Sequence, residues 1–258
     1  MNSRPGLSVC VIACNEELEL PRCLDSVAFA DELILVIDAK STDRSEEIAR
    51  EHATRVEVRP YEGDIEQKSY ATSLATCDWI LVIDPDEVAR PELAGSIQRV
   101  VAAGGEAATS GYELDRLTWY LGRWIRHGDF YPDWTLRLFR RDAFQWAGAN
   151  PHGRIEVAGT VARLSGELEH YSYRDVADHF DRVQRWSDQA AAALAERGRR
   201  AGWVDLVLRP IWRAFRSYVV KRGFLDGVPG LVVACANGLY VFLKYAKLWE
   251  RARRAESA

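Results

Sequence analysis

The residues with the plainest chemical potential are Asp84, Asp86 and Glu87, which close the apolar run "WILVIDPDE". Three carboxylates in four positions repel one another, so a partner is expected where that strand ends. Two aspartates one residue apart at the mouth of a sheet suit a divalent cation that bridges phosphate oxygens. Oxygen ligands favour Mg²⁺ or Mn²⁺.

Two other strand-like runs also end in polar residues. "LSVCVIA" leads to Asn15 and Glu16, and "ELILVID" ends in Asp38. Helical patterns separate these runs: "EELELPRCLDSV", "STDRSEEIAREHA" with Ser41, Thr42 or Asp43 as cap, and "DIEQKSYATSLATC". Alternation of apolar strand and helix predicts an α/β fold with a mostly parallel central sheet. Ligands of such sheets bind beyond the carboxyl ends of the strands, and Asn15, Glu16, Asp38, Asp84 and Asp86 all fall on that edge. The chain has neither GxGxxG after the first strand nor GxxxxGK[ST] anywhere, so dinucleotide and P-loop readings lack support.

At 258 residues the chain can bury a sizeable core. Its net charge of -4 hides an asymmetry: from Arg199 onward, twelve Lys/Arg face four Asp/Glu. A basic end on an acidic body suggests an anionic surface as partner, a membrane or phosphorylated lipid rather than nucleic acid, for which no aromatic-interleaved basic motif is present. The five scattered cysteines include no CxxC pair and fit reduced thiols in a cytosolic protein. The opening residues do not read as a signal peptide.

The ordered set "IACNEELELPRCLDSV", "LVIDAKSTDRS" and "DWILVIDPDE" resembles the family 2 inverting glycosyltransferases. It is closest to their lipopolysaccharide core glucosyltransferase-like subgroup, through "EQKSYATSLA", "LGRWIRHGDFYPDWTLRLFRR", "PHGRIEVAG", "LEHYSY" and "RGFLDGVPGL". The resemblance implies a GT-A (nucleotide-diphospho-sugar transferase) fold over 1–172. Its donor half is 1–88 and its acceptor half 89–172, and a basic helical region follows over 173–258. It implies that Asn15, Glu16 and Asp38 meet the nucleoside of a nucleoside-diphosphate sugar, with UDP-sugar expected. Lys68 and Arg137 would add positive charge at the donor phosphates. Asp84 and Asp86 would hold Mg²⁺ or Mn²⁺ on the diphosphate, with His170 or His152 able to complete the set. The expected acceptor is a cell-envelope glycan or glycolipid, reached by a cytoplasmic enzyme peripheral at the inner face of the membrane.

Two departures bear on activity. Lys40 stands where relatives carry a small residue in "DSGSTD". Gly153 follows His152 where relatives commonly have glutamate, the natural proton acceptor for the attacking hydroxyl. Asp129, Asp133 and Glu156 are the nearby replacements, Asp133 foremost, in a stretch whose aromatics could stack on a sugar. Transfer to polyprenyl phosphate, or a donor-binding protein without catalysis, are the alternative readings.

From residue 175 the pattern is helical. In "WVDLVLRPIWRAFRSYVVKRG", Val207, Leu208, Ile211, Trp212, Phe215, Tyr218 and Val219 share one face, and Arg209, Arg213 and Arg216 lie across from it. Such a helix could lie in a membrane interface or pack on the catalytic domain with its arginines in water. The run "VPGLVVACANGLYVFL" is short for a membrane crossing.

Overall fold

The computed structural model describes residues 4–105, 108–148 and 153–256. They divide into two compact units, one from the described residues of 4–116 and 133–170, the other from those of 117–132 and 171–256.

The first unit is the α/β body. Its elements run β1 (Arg4–Ala13), α1 (Leu20–Ser26), β2 (Glu32–Asp38), α2 (Ser45–His52), β3 (Arg55–Arg59), α3 (Asp64–Ser73), β4 (Cys77–Val82), β5 (Glu87–Ala89), α4 (Pro91–Ala102) and β6 (Thr109–Tyr120). After β7 (Arg123–Trp124), which belongs to the second unit, come β8 (Trp134–Arg140), β9 (Phe144–Ala147), β10 (Arg154–Val157) and β11 (Thr160–His170). Nine strands share one sheet in the order β3-β2-β1-β4-β8-β6-β11-β5, with β7 pairing β6 at its side, while β9 and β10 form a separate hairpin.

The first four strands of that order are parallel. Antiparallel β8 and β6 continue the sheet, and β11 pairs antiparallel with β5. The parallel strands are apolar at nearly every position because both faces are covered. Val9, Val11, Leu33, Leu35, Ile37 and Leu81 pack with α1 and α4 residues on one side. Cys10, Ile34, Val36, Ile80 and Val82 pack with Ala71 of α3 on the other. Alternate residues of a strand point to opposite faces, so one run feeds both cores. Each fully buried aliphatic side chain contributes about 1.5–3 kcal/mol.

Helix α2 begins later than its sequence pattern suggests, at Ser45. Residues 41–43 are held open because they bond to the loop after β1. Asn15 Oδ1 accepts from Thr42 N at 2.9 Å, and the Asn15 backbone N donates to Ser41 Oγ at 2.9 Å. Asp43 accepts from the backbone N–H of both Glu17 and Ser45. Asn15 has φ 57°, a left-handed conformation that asparagine tolerates better than most residues.

The second unit carries α5 (Val176–Glu196), capped by the Asp175 side chain, then α6 (Trp203–Leu206), α7 (Leu208–Phe215) and α8 (Gly227–Glu256). A π turn, Arg216–Val220, and a 3₁₀ turn, Gly223–Asp226, link α7 to α8. The single helix expected over this basic stretch is thus broken. Asp205 caps the start of α6 by accepting from Gly202 N and pairs with Arg209 of the next helix, and Pro210 sits in the first turn of α7, where its missing N–H costs nothing. The segment "RGFLDG" turns on Asp226, 1% exposed, whose carboxylate accepts from the backbone N–H groups of Arg126 and His127.

The sixteen-residue apolar run of the sequence, 228–243, is the N-terminal half of the 30-residue α8. By length and composition, Gly223–Arg254 is long and apolar enough to cross a membrane.

Candidate active site

Parallel strands in adjacent positions bring their carboxyl ends together, and the polar residues after β1, β2 and β4 therefore line one edge. At β2, Asp38 is buried and accepts from the backbone N–H groups of Lys40 at 3.1 Å and Tyr61 at 3.3 Å, which holds the 38–41 turn. Asn15 and Glu16 sit beside it: Glu16 N donates to Ser45 Oγ at 2.8 Å.

The sequence Asp84-Pro85-Asp86-Glu87 makes a β-turn. Glu87 N donates to the Asp84 carbonyl at 2.9 Å, and the Glu87 carboxylate returns the bond by accepting from Asp84 N at 2.9 Å. Aspartate at the first position and proline at the second are what such a turn favours. Its consequence is a separation of roles among three adjacent carboxylates.

Glu87 points inward and is 0% exposed. It is neutralised by Arg137 of β8 at 2.6 Å and approached by Arg116 of β6 at 3.5 Å. Asp84 is held on both oxygens, Oδ1 by Lys68 Nζ and Oδ2 by Arg137 Nη2, each at 2.6 Å. Burial works against the charged form of Asp84, but Arg137 and then Lys68 outweigh it and hold the carboxyl well below its ordinary range. Arg116 continues the chain by donating from Nε and Nη2 to Asp133 Oδ2, at 2.9 and 2.6 Å. Three cations and three carboxylates thus alternate, Lys68, Asp84, Arg137, Glu87, Arg116, Asp133.

Asp86 stands apart. It is 27% exposed on its side chain, and its neighbour is His170 Nε2 at 3.5 Å. The β5–β11 register explains this contact, because it pairs His170 with Glu87, the residue after Asp86. A carboxylate and an imidazole side by side can offer two ligands to a divalent cation, with substrate phosphate and water completing the sphere. Among the described residues, no group of three or more His, Cys, Asp or Glu is arranged to hold a metal alone. Asp84, expected beside Asp86 as a ligand, has both oxygens engaged by cations.

Lys68 and Arg137 also line a cavity of about 190 Å³, with Thr135, Trp146, Gly153 and Ile155 among its walls. His152 lies outside the described residues. At Gly153 an added Cβ would collide with Ile65 Cγ1. Gly153→Glu is therefore expected to cost about 1–3 kcal/mol by overpacking, and Gly153→Glu with Ile65→Ala to recover most of it. Thermal unfolding of both variants checks this, and equal midpoints for the single and double changes would refute it.

The remaining candidates divide. Asp133 joins the charge chain and is 37% exposed. Asp129 is 3% exposed and lies among Arg213, Arg216 and Lys221 in the second unit. Glu156 is on the β9–β10 hairpin, bonded to Arg154 and Gln145, and lines a different cleft with Asp142 and Phe144. The bond from Arg154 and that from Gln145 hold its carboxyl below the usual range. The aromatics between Trp119 and Trp146 pack largely on one another and on their neighbours: Trp119 and Trp124 edge to face at 4.9 Å, Phe130 stacked on Tyr173, Phe139 on Phe144. Glu87 and Arg116 are the contributors that motif reading underweights. The apolar positions around them were the only local signal, since a carboxylate or guanidinium in a buried strand demands a partner.

The sequence model of Glycosyl transferase family 2 matches residues 8–156, more than half of the chain and all of the carboxyl-edge residues up to Glu156. The chain belongs to this family. As a family 2 glycosyltransferase it has the GT-A fold, with the parallel strands β3-β2-β1-β4 forming one half of its central sheet. An uncharacterised glycosyltransferase of Rickettsia typhi is 27% identical over 254 residues, spanning 95% of this chain and 87% of that protein. The lipopolysaccharide core biosynthesis glycosyltransferase LpsC of Rhizobium meliloti is 25% identical over 252 residues, 95% of this chain and 92% of that protein. Among solved structures, the mannosyltransferase PcManGT of Pyrobaculum calidifontis, in complex with GDP-Man and Mn²⁺, is 16% identical with a TM-score of 0.48, over 98% of this chain and 76% of that one.

Proposed function

We propose that this glycosyltransferase moves a hexose, with inversion, from a nucleoside-diphosphate donor to a cell-envelope glycan or glycolipid, an acceptor of the lipopolysaccharide core kind. The observation that carries the reading is the division of labour in the 84–87 turn. Glu87 and Asp84 are tied to the protein's own cations, and Asp86 beside His170 is left for a ligand. The full-length similarity to LpsC supports the choice of acceptor class.

In this reading Asn15, Glu16 and Asp38 border the nucleoside, at the ends of β1 and β2. Asp86 and His170 hold Mg²⁺ or Mn²⁺, while Asp84 fixes the ammonium of Lys68 and the guanidinium of Arg137 at the phosphate side. The ion, when bound, supplies Lewis-acid stabilisation of the departing nucleoside diphosphate. Asp133 accepts the proton of the acceptor hydroxyl. The enzyme works peripherally at the inner face of a membrane.

The test is thermal unfolding with UDP, GDP, dTDP and CMP, each with and without Mn²⁺. One nucleotide should raise the midpoint, more so with Mn²⁺. At a hundredfold excess over its dissociation constant the gain is about 2.7 kcal/mol. Asp86→Ala should lose the metal-dependent part while its own midpoint without ligand stays within about 0.5 kcal/mol, as a part-exposed residue without a cation partner allows. A metal-dependent shift undiminished in Asp86→Ala would overturn the assignment. Donor binding without turnover on any acceptor would favour the non-catalytic alternative.

A further inference from the structure

The second unit leaves the apolar face of its amphipathic helix in solvent. Leu208, Ile211, Trp212 and Phe215 of α7 face solvent, Ile211 at 63% and Trp212 at 58% exposure. The exposed apolar strip continues through Val219 and Val220 to Phe224, Leu225 and Val228. The arginines of α7 are held in ion pairs on its other side. Arg209 pairs with Asp205 at 2.8 Å, and Arg213 and Arg216 pair with Asp129 at 3.1 and 2.9 Å.

These arginines do not reach charge balance. With Arg199 and Lys221 on the same two aspartates and Lys244 close by, six cations meet two carboxylates, both buried. Arg209, Arg213, Arg216 and Lys244 line a cavity of about 380 Å³ whose other walls include Trp212 and Tyr245, and no carboxylate is among its lining residues. Lys244 has no carboxylate partner among the described residues. Its ammonium lies over the rings of Tyr245 at 4.7 Å and Tyr240 at 5.4 Å. Burial, then Arg209 and Arg213, pull its pKa down from the ordinary lysine value. An excess of cations over carboxylates around a hollow marks a place for an anion. Guanidinium forks suit phosphate oxygens in particular.

We propose that the Arg209/Arg213/Arg216/Lys244 cavity binds the phosphate of an anionic lipid headgroup, while the adjoining strip on α7 sits among the lipid chains. The occupant is a bilayer rather than a protein or a soluble phosphate, because the cation cavity opens beside the apolar strip through a shared Trp212. That is the arrangement of an interfacial helix: apolar face into the acyl boundary, basic flank at the phosphates, tryptophan between them. The inference deepens the peripheral-membrane part of the functional reading and gives it a site.

The full chain is to be sedimented with vesicles of phosphatidylcholine alone and of phosphatidylcholine mixed with phosphatidylglycerol. Binding to the anionic vesicles is expected to exceed that to neutral ones and to be released by alkaline carbonate. Lys244→Ala should weaken it about fivefold, the effect of one basic residue at an anionic surface, yet raise or preserve the unfolding midpoint, since it relieves repulsion. Ile211→Asp, at an exposed position, should abolish binding without altering the fold seen by circular dichroism. Equal binding to both vesicle types, undiminished binding of both variants, or retention through carbonate would overturn the proposal. So would stabilisation by glycerol phosphate in the absence of any vesicle binding, which would assign the cavity to a soluble phosphate. Nucleotide-dependent thermal shifts of the same variants separate the two readings. If vesicles bind and nucleotides do not, the donor assignment fails and this one stands.

Discussion

Arg137→Met is expected to lower stability by about 3–5 kcal/mol, the cost of removing one partner from a buried charge pair. For a chain of this size the midpoint falls by about 2–4 °C per kcal/mol, so a drop on the order of 10 °C should be seen by circular dichroism. The reason lies in Glu87, which is 0% exposed and whose nearest cation is Arg137 at 2.6 Å. Arg116 is farther, at 3.5 Å, and is already committed to Asp133. Methionine approximates the volume of the arginine stem, so a loss would report charge more than packing. Adding Glu87→Gln to Arg137→Met should recover part of the loss, and a double-mutant cycle isolates the pair. Full additivity of the two changes would mean that the ion pair contributes nothing.

Acid titration gives a second readout of the same network. The folded carboxyl of Asp84 titrates below its unfolded value, so the unfolded chain binds the extra proton in the interval between them. Stability from Asp84 is complete above the ordinary carboxylate range and is lost as pH falls toward the depressed folded value. Arg137→Met removes the largest opposing charge, narrows that interval, and should flatten the acid limb of a stability–pH curve.

How far the sequence reaches is visible in this same turn. Strand and helix alternation read correctly because it is a local signal: the expected strand "ELILVID" is β2, Glu32–Asp38. The helix in "DIEQKSYATSLATC" is α3, Asp64–Ser73. Family membership was legible from the ordered motifs, and the family match over residues 8–156 agrees with it. What local pattern could not assign was which carboxylate keeps a free face. Asp84 meets Lys68 from α3 and Arg137 from β8, contacts made across 16 and 53 positions of chain. Composition is blind to such pairings. The same holds for α7, whose hydrophobic face was plain from its spacing. Its direction goes with the ion pairs that Asp129 and Asp205 make with the arginines of its other face, and Asp129 belongs to a distant segment.

Asp133→Asn is expected to reduce turnover about 10²–10⁴-fold, the usual contribution of a positioned general base, with the nucleotide-dependent thermal shift unchanged. The departure of this chain at Gly153 is what makes the prediction sharp. A glutamate there would need the space that Ile65 fills, so the proposed inverting transfer draws its proton acceptor from elsewhere. Asp133 has the geometry: Arg116 fixes Oδ2 through two N–H donors, and Asp115 Oδ1 accepts from the Asp133 backbone N at 3.0 Å. The bonds from Arg116 both fall on Oδ2, so Oδ1 of a side chain 37% exposed remains to take a proton. Asparagine preserves the shape and an oxygen for Arg116 but cannot act as a base. Glu156→Gln is the control. Glu156 is bonded to Arg154 and Gln145 on a hairpin, facing a cleft that shares none of the charge chain's residues. Its replacement should leave turnover within about threefold, a change of less than 1 kcal/mol in the barrier. Loss of turnover in Glu156→Gln with Asp133→Asn fully active would transfer the role to the hairpin. That outcome would place the acceptor at the cleft lined by Asp142, Phe144 and Glu156 and not beside Asp133.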